Sequence, residues 1–278
     1  MAAIIDYIKS DLKTPGKRRN RYFIIAGAAI LLVAGYYAFF LLIDPRVLPQ
    51  QAVHLLQDAV IPQQGQKVIV FSPHPDDETI ATGGYIAQAI QQGAEVRIVL
   101  VTNGNKHGNE ATRYAEFKKA TAILGVNPDD LVFMGLPDGG LSELSETNLS
   151  QQLKQQTDNF SPDFIIYPAQ QDFHPDNAAV AKAINRFVGS YSSIIYYRYL
   201  VHYGVYYPHP KKLAPTLYLT PPTRLVRFGY SWNKVMLPPA IEQLKQQAIY
   251  SYQSQFTNAM LKDLLLSSIR QNELLLAQ

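Results

Sequence analysis

The feature that most limits what this chain can fold into is Tyr22–Ile43, YFIIAGAAILLVAGYYAFFLLI, 22 consecutive positions without a charge. At about 1.5 Å per residue, a helix of that length spans about 33 Å, enough for the hydrocarbon core of a bilayer. A buried helix of a soluble protein would keep a polar face. A cleaved signal peptide would carry an apolar stretch of about 7–15 residues ending in a small-x-small site, which AFFLLIDPR does not offer. The run is therefore read as an uncleaved transmembrane helix, with Tyr22, Tyr36 and Tyr37 as amphipathic rings for the interfaces.

Charge distribution supplies a direction. Lys9, Lys13, Lys17, Arg18, Arg19 and Arg21 face only Asp6 and Asp11 before the run, whereas the rest of the chain holds 19 basic and 20 acidic residues. A basic flank on one side predicts a cytoplasmic amino terminus and an extracytoplasmic body, in the periplasm, at the cell surface or in a lumen. A near-neutral body has no nucleic-acid footprint. The absence of cysteine excludes a disulfide scaffold, a thiolate zinc site and a cysteine nucleophile.

The expected organisation is a basic cytoplasmic segment 1–21, a transmembrane helix 22–43, a Pro- and Gln-rich connector 44–66 with a short helix over Gln51–Val60, and one domain over 67–278. Within that domain strand and helix patterns alternate. Strands are expected at Lys67–Phe71, Glu95–Thr102, Asp130–Phe133, Phe164–Tyr167 and Ser193–Tyr199. Helices are expected at Thr79–Gln92, Asn109–Leu124, Asn148–Asn159 and Asp176–Val188, two of them closed by Gly93 and Gly125. Such alternation predicts an α/β fold, a Rossmann-like sandwich with a mainly parallel sheet. Tyr203–Tyr230 is rich in Pro and Tyr, and Pro238–Gln278 reads as two helices with Leu-rich faces.

In such folds ligands bind beyond the carboxyl ends of the strands, and two polar clusters fall there. His74-Pro75-Asp76-Asp77-Glu78 follows the first of these strands. One histidine with three acids can hold a cation and leave a free base; a helix cap would explain only one of the acids. Asp172-Phe173-His174-Pro175-Asp176-Asn177 follows the fourth. There His174 and Asn177, three apart at a helix start, can face one point, and Asp176 can orient His174.

With PHPDDE at 73–78 and HPDN at 174–177, the sequence resembles the PIG-L/LmbE-like family of zinc-dependent N-deacetylases. Thr102-Asn103-Gly104, Arg113-x-x-Glu116, Gly135-Leu136-Pro137-Asp138-Gly139 and Tyr252-Gln253-Ser254-Gln255 agree in order. The resemblance implies hydrolysis of an N-acetyl group from an N-acetylglucosamine-type sugar in a glycan or glycolipid. It implies His74 and Asp77 as zinc ligands and Asp76 as the general base. His174 would be an imidazolium serving the oxyanion or the leaving amine, with Asp176 behind it. Arg113 would reach the substrate, where a bland reading makes it a helical ion pair with Glu116.

The sequence departs from the family where a third ligand histidine is expected and Asn177 stands. An amide oxygen is a weaker, harder donor than imidazole. Asn177 ligates through Oδ1, or Asp172, His107 or His202 substitutes, or the domain is a sugar-binding pseudoenzyme. Hydrolysis of another N-acyl substrate is a further alternative. The tyrosines Tyr196, Tyr197, Tyr199, Tyr203, Tyr206 and Tyr207 can stack on a sugar or pack a sheet edge, and His202 and His209 otherwise read as ordinary loop residues. A nucleotide-dependent oxidoreductase is excluded, because HPDDE occupies the turn where a glycine fingerprint belongs.

Overall fold

The computed structural model describes residues 15–42, 46–106, 108–204 and 207–277, and the chain divides after Asp44 into two units. The first unit holds α1 (Pro15–Leu42), one helix of 28 residues. Its window Tyr22–Phe39 has a mean hydropathy of 2.0 and buries nothing within the protein. By length and composition it can cross a membrane.

The second unit opens with a 3-10 turn (Gln50–Leu55) and the short β1 (Gln57–Asp58), followed by β2 (Lys67–Ser72), α2 (Asp77–Gln91), β3 (Glu95–Thr102) and α3 (Glu110–Ile123). It continues with β4 (Leu131–Leu136), α4 (Glu146–Phe160), β5 (Phe164–Pro168), α5 (Pro175–Asn185) and β6 (Ile195–Tyr199). The last part holds α6 (Thr223–Arg227), β7 (Trp232–Met236), α7 (Pro239–Ile249), α8 (Ala259–Ser267) and β8 (Asn272–Leu276).

All eight strands form one sheet in the order β1-β7-β8-β6-β5-β2-β3-β4. The run from β6 to β4 is parallel throughout. β8 is antiparallel to both its neighbours, β6 and β7.

Strand periodicity builds the two layers. Val68, Val70, Ile98, Leu100, Phe164 and Ile166 face one core, under α2, α3 and α7. Their neighbours Ile69, Phe71, Val99, Val101, Ile165 and Tyr167 face the other, against Leu149, Leu153 and Phe160 of α4 and Val180 and Ile184 of α5. A strand covered on both faces is apolar at every position, which is why KVIVF shows no alternation. Each fully buried side chain of this size contributes about 1.5–3 kcal/mol.

The central strands lie where the sequence puts them, with ends shifted by up to three residues. The tail holds the two helices expected of it, α7 and α8, together with two strands that were not expected. Trp232–Met236 and Asn272–Leu276 are strands, and only α7 and α8 are helical there, joined by a 3-10 turn at Gln253–Thr257. Three consecutive leucines carry no period; in β8 they alternate, with Leu275 in the first core and Leu274 and Leu276 in a third beside Trp232 and Tyr203. The segment expected as a short helix is a 3-10 turn followed by β1. Residues 46–66 also pack on the body: Val53 is fully buried, β1 pairs with β7, and Leu48 N donates to Pro221 O.

The strand order reverses at β2: the chain runs outward through β3 and β4, then returns to place β5 on the other side of β2. A crevice opens beyond strand ends at such a switch point. Both polar clusters leave the sheet there.

Candidate active site

Asp76 occupies the turn between β2 and α2 with φ 141°, ψ −28°. A side chain other than glycine held there stores about 1–3 kcal/mol of strain. Asp76 makes no side-chain capping bond to α2, so the capping explanation does not account for it. Its carboxylate accepts instead from Arg113 NH2 at 3.1 Å, and the same nitrogen donates to Pro75 O at 2.8 Å. The turn is braced by the loop after β3: Thr102 Oγ1 donates to Pro73 O. Gly104 (φ +62°) passes so close that a Cβ there would sit 2.9 Å from Pro75, a backbone approach only glycine permits.

His74 is held at both ring nitrogens. Nδ1 lies 3.0 Å from Asp77 Oδ2; Nε2 lies 3.1 Å from Asp176 Oδ2 and 3.4 Å from Asp138 Oδ1. Burial disfavours its charged form, but the carboxylates of Asp138, Asp176 and Asp77 outweigh that and raise its pKa well above the ordinary value. Asp138 is driven the other way: despite burial, His74, the Lys106 amide and Arg113 lower its pKa to about 2. Burial raises Asp76 to about 7 against the opposing charge of Arg113.

The second cluster caps α5. His174 Nδ1 accepts from the Asp176 amide at 3.3 Å, and its ring lies 4.3 Å from that of His74 and 5.4 Å from that of His202. Burial and the neighbouring His74 lower the pKa of His174. The carboxylate of Asp176 accepts from the amides of Gly139 (2.7 Å) and Leu141 (3.0 Å). Asn177 is fully buried, and neither its Oδ1 nor its Nδ2 has a hydrogen-bond partner among the described residues. Leaving both ends of a buried amide unsatisfied costs about 1–3 kcal/mol for each group.

His74, Asp76, Asp77, Asp138, His174 and His202 line a cavity of about 180 Å³. His74, His174 and Asp176 each offer a ligand atom within 4.8 Å of the others, an arrangement able to hold a metal ion. That imidazole–carboxylate donor set suits a borderline cation such as zinc.

Several expected pairings differ. Asp176 does not stand behind His174 with its carboxylate, which is turned to His74 and the 139–141 loop because two backbone amides there hold it. Arg113 grips Asp76, and Glu116 instead accepts from the Ser254 amide and hydroxyl at 2.7 Å each. That arrangement replaces the helical ion pair and ties the 252–255 element to α3. Asp172 is occupied by the amides of His174, Val201 and His202. His202 is not an ordinary loop residue: it lines the cavity, 3.2 Å from Asp172. Tyr199 is core, its hydroxyl donating to Phe71 O. His107 and Tyr206 lie outside the described residues. Asp138 also lines the cavity, a residue to which sequence reasoning gave no role although it quoted the GLPDG motif that holds it.

The comparisons agree with this geometry. The family of GlcNAc-PI de-N-acetylases, PIG-L, matches residues 69–188. A Bacillus anthracis protein described as "Probable N-acetyl-alpha-D-glucosaminyl L-malate deacetylase 2" is 30% identical over 131 residues, 42% of this chain and 57% of that protein. The 1D-myo-inositol 2-acetamido-2-deoxy-alpha-D-glucopyranoside deacetylase of Mycobacterium sp. (strain KMS) is 33% identical over 97 residues, 28% of this chain and 31% of the relative. The chain thus matches little more than half the length of the first of these curated relatives and about a third of the second. Among solved structures, the N,N'-diacetylchitobiose deacetylase of Pyrococcus horikoshii shares the fold at a TM-score of 0.51 and 20% identity, over 82% of each chain. The zinc-inhibited form of teicoplanin deacetylase Orf2 shares it at a TM-score of 0.56 and 16% identity, covering 76% of this chain and 97% of that one. The PIG-L match over residues 69–188 contains both motifs, which leave the sheet at its switch point.

Proposed function

We propose that this chain is a membrane-anchored, metal-dependent hydrolase that removes the acetyl group from an N-acetylglucosamine-type sugar in an envelope glycan or glycolipid. The observation that carries the reading is the meeting of two loops at the switch point, where His74, Asp76 and Asp77 after β2 share a cavity with His174 after β5 and Asp176 reaches His74. The names of the sugar deacetylases it resembles support the substrate class. The domain boundary near residue 44, the helix α1 and the basic residues before its apolar stretch support an anchor with the body outside the cytoplasm.

His74, Asp77 and Asn177 would hold the ion, which when bound supplies a Lewis acid that polarises the acetyl carbonyl and acidifies water. Asp76 takes the proton from the attacking water. Its elevated pKa and its Arg113 contact keep it in place and poised near neutral pH. His174 faces the same cavity and delivers a proton to the departing amine, while Asp176 and Asp138 hold His74. The amine and acetate leave as separate products.

A second ligand set, His74, His174 and Asp176, is favoured by the mutual closeness of those three side chains. The two sets use opposite edges of one ring, since Asp77 sits at Nδ1 of His74 and Asp176 at Nε2. Metal content by elemental mass spectrometry on the purified full chain separates them. Loss of zinc in Asp77→Ala and Asn177→Ala with retention in Asp176→Ala supports the first set; the reverse supports the second. No uptake of zinc, cobalt or manganese by the wild-type chain overturns the hydrolase reading and leaves a sugar-binding pseudoenzyme. Release of acetate from another N-acyl compound, and from no acetamido sugar, overturns the substrate class.

A further inference from the structure

The turn that ends α6 holds apolar side chains outward. Leu225 anchors the helix from within, buried in one cluster with Trp232 and Leu276. The helix then stops in a fixed cap: the Gly229 amide (φ +81°) donates to Val226 O and the Tyr230 amide to Leu225 O, the bond pair of a helix end closed by glycine. Val226, Arg227, Phe228 and Gly229 are all exposed as a result, Phe228 at 59%. The Arg224 guanidinium lies 5.6 Å from the centroid of the Phe228 ring. Phe173, also 59% exposed, borders one cavity with Arg224 and Phe228 and belongs to the same face.

Two further observations bear on what this face meets. From Asn177 to Ile241 the sequence carries eight lysines and arginines and no aspartate or glutamate, a charge pattern that favours an anionic partner. The other observation is the course of the chain. The first described residues of the body run along the entry to α6: Thr223 N donates to Arg46 O, Leu48 N donates to Pro221 O, and Val47 bridges Pro222. Only residues 43–45 separate Arg46 from the end of α1 at Leu42. Four peptide links reach at most about 14 Å. With α1 in a bilayer, Arg46 starts within that reach of the helix end, and α6 is fastened to residues 46–48.

We propose that the α6 face is a membrane-docking surface. Phe228, Val226 and Phe173 enter the interfacial layer of the bilayer, while Arg46, Arg224 and Arg227 meet anionic lipid headgroups. Rings and aliphatic groups ringed by arginine are the composition of an interfacial site. A second copy of the chain would instead set like charges against each other. The docking rests on the anchored reading for the nearness of a bilayer, and not on the hydrolase reading or its substrate.

The test puts a fluorophore in the face. The full chain is reconstituted into vesicles of phosphatidylglycerol with phosphatidylcholine brominated along its acyl chains, and into vesicles of the brominated phosphatidylcholine alone. Phe228→Trp reports on the face, and Gln151→Trp on the exposed side of α4, a helix of the second core. Trp232, the one tryptophan of the chain, is buried and gives the wild-type background. The expected result is about twofold quenching of Phe228→Trp in the anionic vesicles, less in the neutral ones, and most of it lost on adding Arg227→Glu. Gln151→Trp should be unquenched. Equal quenching of the two probes, none of either, or quenching that survives both Arg227→Glu and omission of phosphatidylglycerol overturns the docking surface. A blue-shifted Phe228→Trp emission without quenching assigns the face to a second copy and overturns it too. Flotation after an alkaline wash tests the anchor separately. Chains that stay with the vesicles while Phe228→Trp is unquenched keep the anchor and lose the docking. Chains washed off at alkaline pH, although Phe228→Trp is quenched at neutral pH, do the reverse.

Discussion

Two clusters of charge are buried in this body, one beneath the middle of α2 and one at its amino-terminal end, and they are built on different principles. Beneath the middle of the helix, Lys245 Nζ meets Glu273 Oε1 at 2.6 Å. The pair also engages the helix backbone: Glu273 accepts from the amides of Gly84 and Tyr85, and Lys245 donates to Ile80 O. A Cβ on Gly84 would lie 2.4 Å from Leu237. Cation meets anion directly, and both are tied to backbone.

At the amino-terminal end of the same helix, Asp76, Asp77, Glu78, Asp138 and Asp176 crowd around His74 and Arg113. Glu78 has no cation beside it and accepts instead from the hydroxyls of Ser72, Thr79 and Tyr252. The remaining acids exceed the cations available, Asp76 is strained, and Asn177 is unpartnered. A structural ion pair is balanced; a cluster meant to bind something is left in deficit until its ligand arrives.

The sharpest way to break this contrast is Asp76→Asn. Turnover of an acetamido sugar should fall by about 10²–10⁴-fold, the usual contribution of a positioned base. The metal-free fold should meanwhile become more stable at pH 8, since a charge that burial disfavours has been removed. Acetate release and a denaturant titration check the two halves; lower stability together with lower activity would mean that Asp76 is structural. Glu273→Ala should cost about 3–5 kcal/mol, because Lys245 is left as an unpaired buried cation. Replacing both partners by Met and Leu should recover most of that loss in the same titration.

The mildest effect is on pH dependence. In the chelated chain Asp76 titrates near 7, above the ordinary carboxylate value, so the folded state takes up a proton between about pH 7 and 4 that the unfolded state does not. Stability therefore rises as pH falls through that window. His74 and His202, both raised, add to the rise as they charge, and His174, lowered, opposes it. Below about pH 4 the trend reverses, as Asp138, near 2, and the lowered Asp77 and Asp176 begin to lose their charge. Thermal midpoints of the chelated chain should peak near pH 5, and a midpoint that climbs steadily to pH 8 would contradict the deficit at the site.

Much of this was legible along the chain. KVIVF, EVRIVLVT and FIIY are short apolar runs bounded by turns, and their strand character needs only local information. PHPDDE and HPDN end strands, so their place at the sheet's carboxyl edge followed from the alternation itself. The 22-residue apolar run likewise set its own helical reading through length and the absence of charge.

The three-dimensional structure decided what depends on residues far apart. NELLL became a strand because the gap between β6 and β7 offers backbone partners on both sides and two cores for alternating leucines. Asp176 turned from His174 to His74 because the amides of Gly139 and Leu141, 37 and 35 residues away, hold its oxygens. Asp138 and His202 entered the site the same way, and no spacing rule reaches that far. The Phe173–Phe228 cavity joins two loops that sequence proximity does not connect. Sequence fixes what each segment tends toward through local sterics and hydrophobic period. Which charges meet, and which are left without partners, is set only when the sheet closes and water is excluded.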